Sequence, residues 1–292
     1  MREEVRQIQR LLEEQVYIAD AAIATALYLS MALGKPLLVE GPAGVGKTEI
    51  AKALSSALNT KLIRLQCYEG LDATTALYEW NYPKQLLHLK LEESSAASEA
   101  EKEAMIFSEA FLLKRPLLQA ITEHDRAPVL LIDEIDRSDE EFEAFLLEVL
   151  SDFQVTIPEI GPIKATHRPH VVLTSNRSRD LSDALRRRCL YHWIDYPSLE
   201  KELEIVRAKV PGIAELLSSQ LTKVMQATRT MSLSKIPGVA ETLDWANALV
   251  TLQAPELNEQ VVTETLGCFL KDESDIAAFK AELPRITTEY TD

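Results

Sequence analysis

Apolar residues between Arg2 and Leu33 recur at helical spacing, and Gly34 and Pro36 stop the pattern. The run Pro36-Leu37-Leu38-Val39-Glu40 then meets a glycine-rich turn and reads as a buried strand. Thr48 to Leu58 returns to a helical period, and Lys61 to Cys67 reads as a second strand. The clearest buried strand is Pro128-Val129-Leu130-Leu131-Ile132-Asp133, an apolar run that needs cover on both faces. Ser138 with Glu141 three residues on predicts a helix opened by a capping box. Phe142, Phe145, Leu146, Val149, Leu150 and Phe153 share one face of that helix. His170 to Ser175 and Leu190 to Asp195 complete five strands. Strand alternating with helix predicts an α/β fold, a parallel sheet with helices on both faces. From Ser198 onward there are only helical periods, punctuated by Pro211-Gly212, Pro237-Gly238, Pro255 and Pro284. The expected division is therefore 1–196, an α/β domain, and 197–292, a small all-helical one. Leu91 to Ala104, rich in Ser, Ala and charge, reads either as an exposed helix or as a mobile insertion.

Composition narrows the function without naming it. The 292 residues are 46% hydrophobic and 26% charged, ample for a core and unlike a disordered chain. Lys and Arg number 31 against 46 Asp and Glu, a net charge of −15. Such a field repels phosphate backbones and anionic headgroups, which counts against a broad nucleic-acid or membrane surface. Cys67, Cys189 and Cys268 have neither pairing nor metal-ligand spacing and fit a reducing, cytoplasmic setting. The apolar stretch Val16 to Leu33 carries Asp20, Thr25 and Ser30, and Glu3, Glu4, Glu13 and Glu14 precede it. It resembles neither a signal peptide nor a membrane span. His167 and His170 have metal-ligand spacing but no third ligand nearby.

The chemistry begins at Gly41-Pro42-Ala43-Gly44-Val45-Gly46-Lys47-Thr48, which fits G-x-x-x-x-G-K-[ST] between a strand and a helix. Glycines let backbone N–H groups wrap a β-phosphate, and the helix N-terminus adds its dipole. Lys47 can reach the β- and γ-phosphates, and the Thr48 hydroxyl can ligand Mg²⁺. The plain alternative is a glycine-rich turn that binds nothing. Asp133-Glu134 ends the strongest strand: Asp133 can hold Mg²⁺, and Glu134 can polarise an attacking water. Asn176, at the end of the fourth strand, can orient that water or cap its own turn. Arg186, Arg187 and Arg188 either form a solvated face or reach a γ-phosphate on a neighbouring subunit.

With these elements in this order, the chain resembles AAA+ ATPases over nearly its whole length. The resemblance implies a P-loop core and a helical lid, with ATP and Mg²⁺ bound and ATP hydrolysed. It puts Asn176 at sensor 1, one of Arg186, Arg187 and Arg188 at the arginine finger, and Lys235 at the sensor-2 segment Ser234 to Thr242. For the finger it favours Arg188, then Arg187. More narrowly the chain is similar to the MoxR family. Phe153 through His170 resembles the β-hairpin which that clade inserts before sensor 1, and Tyr78 to Leu87 resembles its second-helix insertion, the two insertions lying near 153–170 and 78–104. Tyr191 to Pro197 and Gly238 to Trp245 look most like the branch accessory to carbon monoxide dehydrogenase and related molybdenum hydroxylases. The resemblance implies a hexameric ring, a client metalloenzyme to mature and a von Willebrand factor A-domain partner. In that reading Trp80 and Tyr82 either grip the client or pack in the core. The reading from a different class is a monomeric P-loop switch or phosphotransferase acting on a small molecule.

Overall fold

The computed structural model describes residues 3–91 and 98–290. In chain order it begins with α1 (Glu3–Glu13), α2 (Ala21–Leu33), β1 (Leu37–Glu40), α3 (Lys47–Ala57) and β2 (Leu62–Gln66). Next come α4 (Ala73–Leu77), β3 (Tyr78–Trp80), α5 (Tyr82–Leu91), α6 (Glu99–Ile106), β4 (Leu112–Lys114) and α7 (Pro116–Ile121). They are followed by β5 (Val129–Asp133), α8 (Glu140–Asp152), β6 (Gln154–Ile157), β7 (Gly161–Lys164), β8 (His170–Ser175), α9 (Asp183–Arg188) and β9 (Leu190–Trp193). The rest is helical: α10 (Leu199–Lys209), α11 (Glu215–Arg229), α12 (Val239–Thr251), α13 (Glu259–Thr265) and α14 (Glu273–Tyr290).

The chain divides into two compact units. The first comprises Met1–Ile8, Ala21–Glu40 and Ala51–His192. It holds a five-stranded sheet in the order β2-β5-β8-β1-β9, whose strands pair in parallel. The predicted runs land here because their side chains are buried on both faces; every residue of β1 and of β5 is buried. Outside this sheet, β3 pairs antiparallel with β4, and β6 with β7 in a hairpin. Trp80 on β3 is a core residue, 6% exposed, edge-on to Phe107 at 5.3 Å between ring centroids.

The second unit comprises Gln9–Asp20, Gly41–Ile50 and Trp193–Asp292. Its core is built on Trp245, Phe269 and Phe279, with Trp245 and Phe269 4.4 Å apart between ring centroids. The indole N–H of Trp245 donates to Thr265 Oγ1 at 2.8 Å, so the buried ring leaves no orphan donor. The loop after β1 thus packs with the helical half of the chain.

Three local readings change. The helical pattern from Arg2 to Leu33 is two helices, because Val16 takes a left-handed conformation (φ 59) and turns the chain after α1. The helix after Asp133 is capped by Asp139, whose Oδ1 accepts from Phe142 N–H at 2.8 Å; Ser138 instead donates to Ile135 O at 2.8 Å. Within the polar stretch Leu91 to Ala104, residues 92–97 lie outside the described residues, and α6 begins behind a Ser98 cap with Glu101 closing a capping box. The cap assignment has a direct check. Asp139→Ala should lower unfolding free energy by about 1 kcal/mol in a denaturant melt. An unchanged midpoint would show that α8 does not depend on that cap.

Candidate nucleotide site

Strands β1, β5 and β8 are neighbours and end at one edge of the sheet, with Glu40 beside Ser175 and Ile132 beside Leu173. Their last residues, and those just beyond, carry the candidate chemistry. Asp133 is buried; its Oδ1 accepts from Thr174 Oγ1 at 2.5 Å, and its Oδ2 accepts from Arg64 Nε at 3.0 Å and from the same guanidinium's Nη2. Glu134 follows in a left-handed conformation (φ 55), which turns its side chain out of the strand's alternation. Its N–H donates to Thr174 Oγ1 at 2.9 Å, and its carboxylate takes Gln66 Nε2 at 3.0 Å and Arg137 Nε at 3.1 Å. The adjacent pair Asp133-Glu134 is therefore oriented by β2, by β8 and by the turn after β5.

Asp136 closes the same corner. It accepts from Asn176 N–H at 3.2 Å, from Ser178 N–H at 2.9 Å and from Ser178 Oγ at 2.7 Å. Burial pushes this carboxyl up, but the hydrogen bonds from Ser178 and Asn176 outweigh it and hold the group below the ordinary aspartate value. Asn176 is thereby fixed by its main chain while its half-buried amide remains at the strand end.

The candidate phosphate loop, Gly41 to Thr48, lies in the second unit. Gly44 (φ +74) and Gly46 (φ +93) take conformations that favour glycine, and a methyl on Gly46 would meet nothing within 4 Å. Lys47 is buried, and its Nζ donates to Gly41 O at 2.8 Å and to Pro42 O at 2.5 Å. Lys47 and Thr48 open α3, so the helix N-terminus follows the loop directly. The loop's neighbour from the lid is the start of α12. Ala240 N–H donates to Gly44 O at 3.1 Å, and Glu241 Oε2 would lie 3.0 Å from a methyl on Gly44. Lys235 is exposed; its N–H donates to Asp275 Oδ2 at 3.0 Å, and its charge adds to the Ser274 hydrogen bonds that lower the Asp272 carboxyl. The residue of this segment that reaches the loop is the acidic Glu241, whose Oε2 accepts from Gly238 N–H at 2.8 Å; no local sequence signal marks it.

The three arginines have different settings. Arg186 Nη2 donates to the buried Glu40 carboxylate at 3.1 Å, and the same oxygen takes Tyr191 Oη at 3.0 Å and lies 3.8 Å from Arg177 Nε. Arg188 Nη1 donates to Leu147 O at 3.0 Å. Arg187 is exposed and has no such tie among the described residues. Two thiols are held in the protonated form: burial, aided at Cys67 by Asp133, pushes Cys67 up to about 12, and burial pushes Cys189 up to about 12.

Residues 36–189, more than half of the chain, match the AAA domain (dynein-related subfamily). The chain belongs to this AAA domain family. An uncharacterized protein of Staphylococcus haemolyticus is 25% identical over 280 residues, 92% of this chain and 97% of that protein. An uncharacterized protein of Staphylococcus aureus is 27% identical over 207 residues, 68% of this chain and 70% of that one. Two variants of Thermotoga maritima RuvB are similar in structure, each 19% identical with a TM-score of 0.50. They cover 95% and 96% of this chain, and 81% of each RuvB chain is covered. The RuvB likeness shows the AAA+ fold, with its parallel sheet and helical C-terminal region. AAA domains are nucleotide-binding ATPase modules that drive remodelling, and they commonly assemble as rings. No helix among the described residues is long and apolar enough to cross a membrane.

The oxygen donors fit the family's cofactors. Hydroxyl and carboxylate oxygens such as those of Thr48 and Asp133 are each of the hard kind that Mg²⁺ takes, and the loop 41–48 carries backbone N–H groups and an ammonium of the kind that suits phosphate. Two outcomes check the geometry. Asp136 has a folded-state value below its unfolded one, so its contribution to stability is present above the ordinary aspartate value and lost as pH falls through the depressed one. Asp136→Asn should flatten that acid limb of a stability–pH curve; a curve parallel to wild type would place the limb elsewhere. Arg186→Ala strips a partner from buried Glu40 and should cost roughly 1–3 kcal/mol, whereas Arg187→Ala should leave the melt unmoved. Equal losses for both would contradict the ion pair.

Proposed function

We propose that the protein is a Mg²⁺-dependent ATPase of the MoxR type, which works as a ring and remodels a client enzyme. The observation that carries this reading is the pair Asp133-Glu134 at the end of a strand in the same sheet as the strand that leads into the phosphate loop. A phosphotransferase does not need Glu134, while a hydrolase uses such a carboxylate to polarise water.

In this reading backbone N–H groups of the loop from Ala43 to Gly46 would hold the β-phosphate, and Lys47 would leave the carbonyls of Gly41 and Pro42 for the β- and γ-phosphate oxygens. The Thr48 hydroxyl and the Asp133 carboxylate would hold Mg²⁺, which would supply neutralisation of phosphate charge. Glu134 takes the proton of the attacking water, and the Asn176 amide orients that water. Arg187 or Arg188 stabilises the developing charge from the next subunit, and Arg187 is tested first because Arg186 and Arg188 have ties within their own chain.

Support for the MoxR type comes from the hairpin β6–β7 ahead of β8 and from the insertion spanning β3 to β4. The client proposed is a molybdenum hydroxylase such as carbon monoxide dehydrogenase, with a von Willebrand factor A-domain protein as co-worker. Trp80 cannot grip it, being buried in the core. Tyr82, Leu86 and Leu87 on α5 are exposed by 60%, 61% and 59% and are the contact proposed instead.

Three variants test the chemistry. Lys47→Ala should lose ATP affinity, whereas Glu134→Gln should bind ATP and lose turnover; equal turnover in Glu134→Gln and wild type would remove Glu134 from the mechanism. Arg187→Ala should bind nucleotide and hydrolyse it roughly 10³-fold more slowly. Mixed with Lys47→Ala it should regain activity, since each supplies the half-site the other lacks. If no mixture using any of the three arginines exceeds its parents, the shared site is wrong.

A further inference from the structure

The phosphate loop is bounded by two pieces of bare main chain. Ile194 puts its carbonyl against Gly41, where a methyl would overlap the oxygen. Gly238 stands against Gly44: a methyl on Gly238 would lie 2.7 Å from Ala43 O and 2.8 Å from the Gly44 Cα. The Ala240 N–H to Gly44 O bond, 3.1 Å, sits at the same contact. Glu241 Oε2 and the Ala240 methyl also approach Gly44, but at Gly41 and at Gly238 the contact is main chain on main chain, so a small shift of either segment reaches the loop and both need an anchor.

One buried cluster supplies it. Glu202 on α10 is 0% exposed and receives Arg229 of α11 in a two-point pair, Nη1 to Oε2 and Nη2 to Oε1, each 2.6 Å. Arg229 Nε also donates to Pro237 O at 2.8 Å, and its Nη2 to Thr242 Oγ1 at 3.0 Å. Gln226, one turn earlier on α11, divides its amide between Glu202 Oε2 at 2.7 Å and Pro197 O at 3.0 Å. Thr242 donates to Glu202 Oε1 at 2.7 Å, and the Arg229 guanidinium lies 5.1 Å from the Tyr196 ring centroid. The partners of Arg229 and Gln226 other than Glu202 therefore belong to 196–197 and 237–242, the chain on either side of the two contacts.

A buried ion pair adds little net stability over an apolar pair of the same shape, but its directional bonds fix where its partners stand. We infer that Glu202, Arg229 and Gln226 are positioning residues for the phosphate loop. By pinning the Pro197 and Pro237 carbonyls they hold the Ile194 and Gly238 backbones against Gly41 and Gly44, and so set the loop's N–H groups for a triphosphate. The inference rests on residues 41–48 being the nucleotide loop.

ATPase kinetics with a parallel thermal melt test it on the full chain. The double variant Glu202→Leu/Arg229→Met exchanges the pair for apolar residues of similar size. It should keep kcat within about twofold and raise the ATP KM by about tenfold or more, the size of effect expected from losing charge-assisted positioning bonds. Arg229→Lys, which keeps the charge but not the fork, should fall between. A purely structural role would lower the melting temperature and the active fraction while leaving KM as in wild type, and that result overturns the inference. Gly238→Ala leaves the cluster intact and pushes on Ala43 O, so it carries the test if the double variant does not fold. A raised KM supports the inference, and an unchanged one overturns it. If wild type hydrolyses no ATP, or Lys47→Ala binds it equally well, the nucleotide reading fails instead.

Discussion

Three carboxylates, Glu40, Asp133 and Asp136, are buried at one edge of the parallel sheet, and none can stay there without partners. That constraint shapes the strand ends of the first unit. Arg186, Arg177 and Tyr191 converge on Glu40, Arg64 and Thr174 on Asp133, and Ser178 and Asn176 on Asp136. The turns after β5 and β8 take their course from these bonds. Glu134 and Arg177 are held in left-handed conformations, an energy cost of order 1 kcal/mol or more each that the surrounding contacts offset.

The second unit meets a different constraint with the opposite means. A phosphate loop must present N–H groups, so what packs against it has to be thin. Gly238 and the Ile194 carbonyl are thin enough, and the charged cluster that orients them lies behind them. Acidic groups organise the strand ends, while glycine and main chain organise the loop. Membership of the AAA domain family fits both arrangements, since ATP hydrolysis needs a firm phosphate cradle and carboxylates held in place at the strand ends.

Much of this was legible in the chain. Continuous apolar runs such as Val129 to Ile132 gave their strands because burial on both faces leaves no alternation to confuse the period. The place of Gly41 to Thr48 between a strand and a helix was legible too, and the loop does lie between β1 and α3. What escaped were pairings across long separations. Nothing local marks Glu40 as the partner of Arg186, 146 residues on, or Arg64 as the partner of Asp133. Asp139 and Ser138 both suit a helix start, and only the Phe142 N–H decides between them. The short strands β3 and β4 are three residues each, too short for a period to register.

The proposed ATP site is completed by a second copy of the chain, and the specific ATPase rate measured against protein concentration tests this most directly. With saturating ATP and Mg²⁺, the rate per chain should be low in dilute protein and climb to a plateau as subunits associate. A rate per chain that is the same at every concentration, or no hydrolysis at any, would contradict the account.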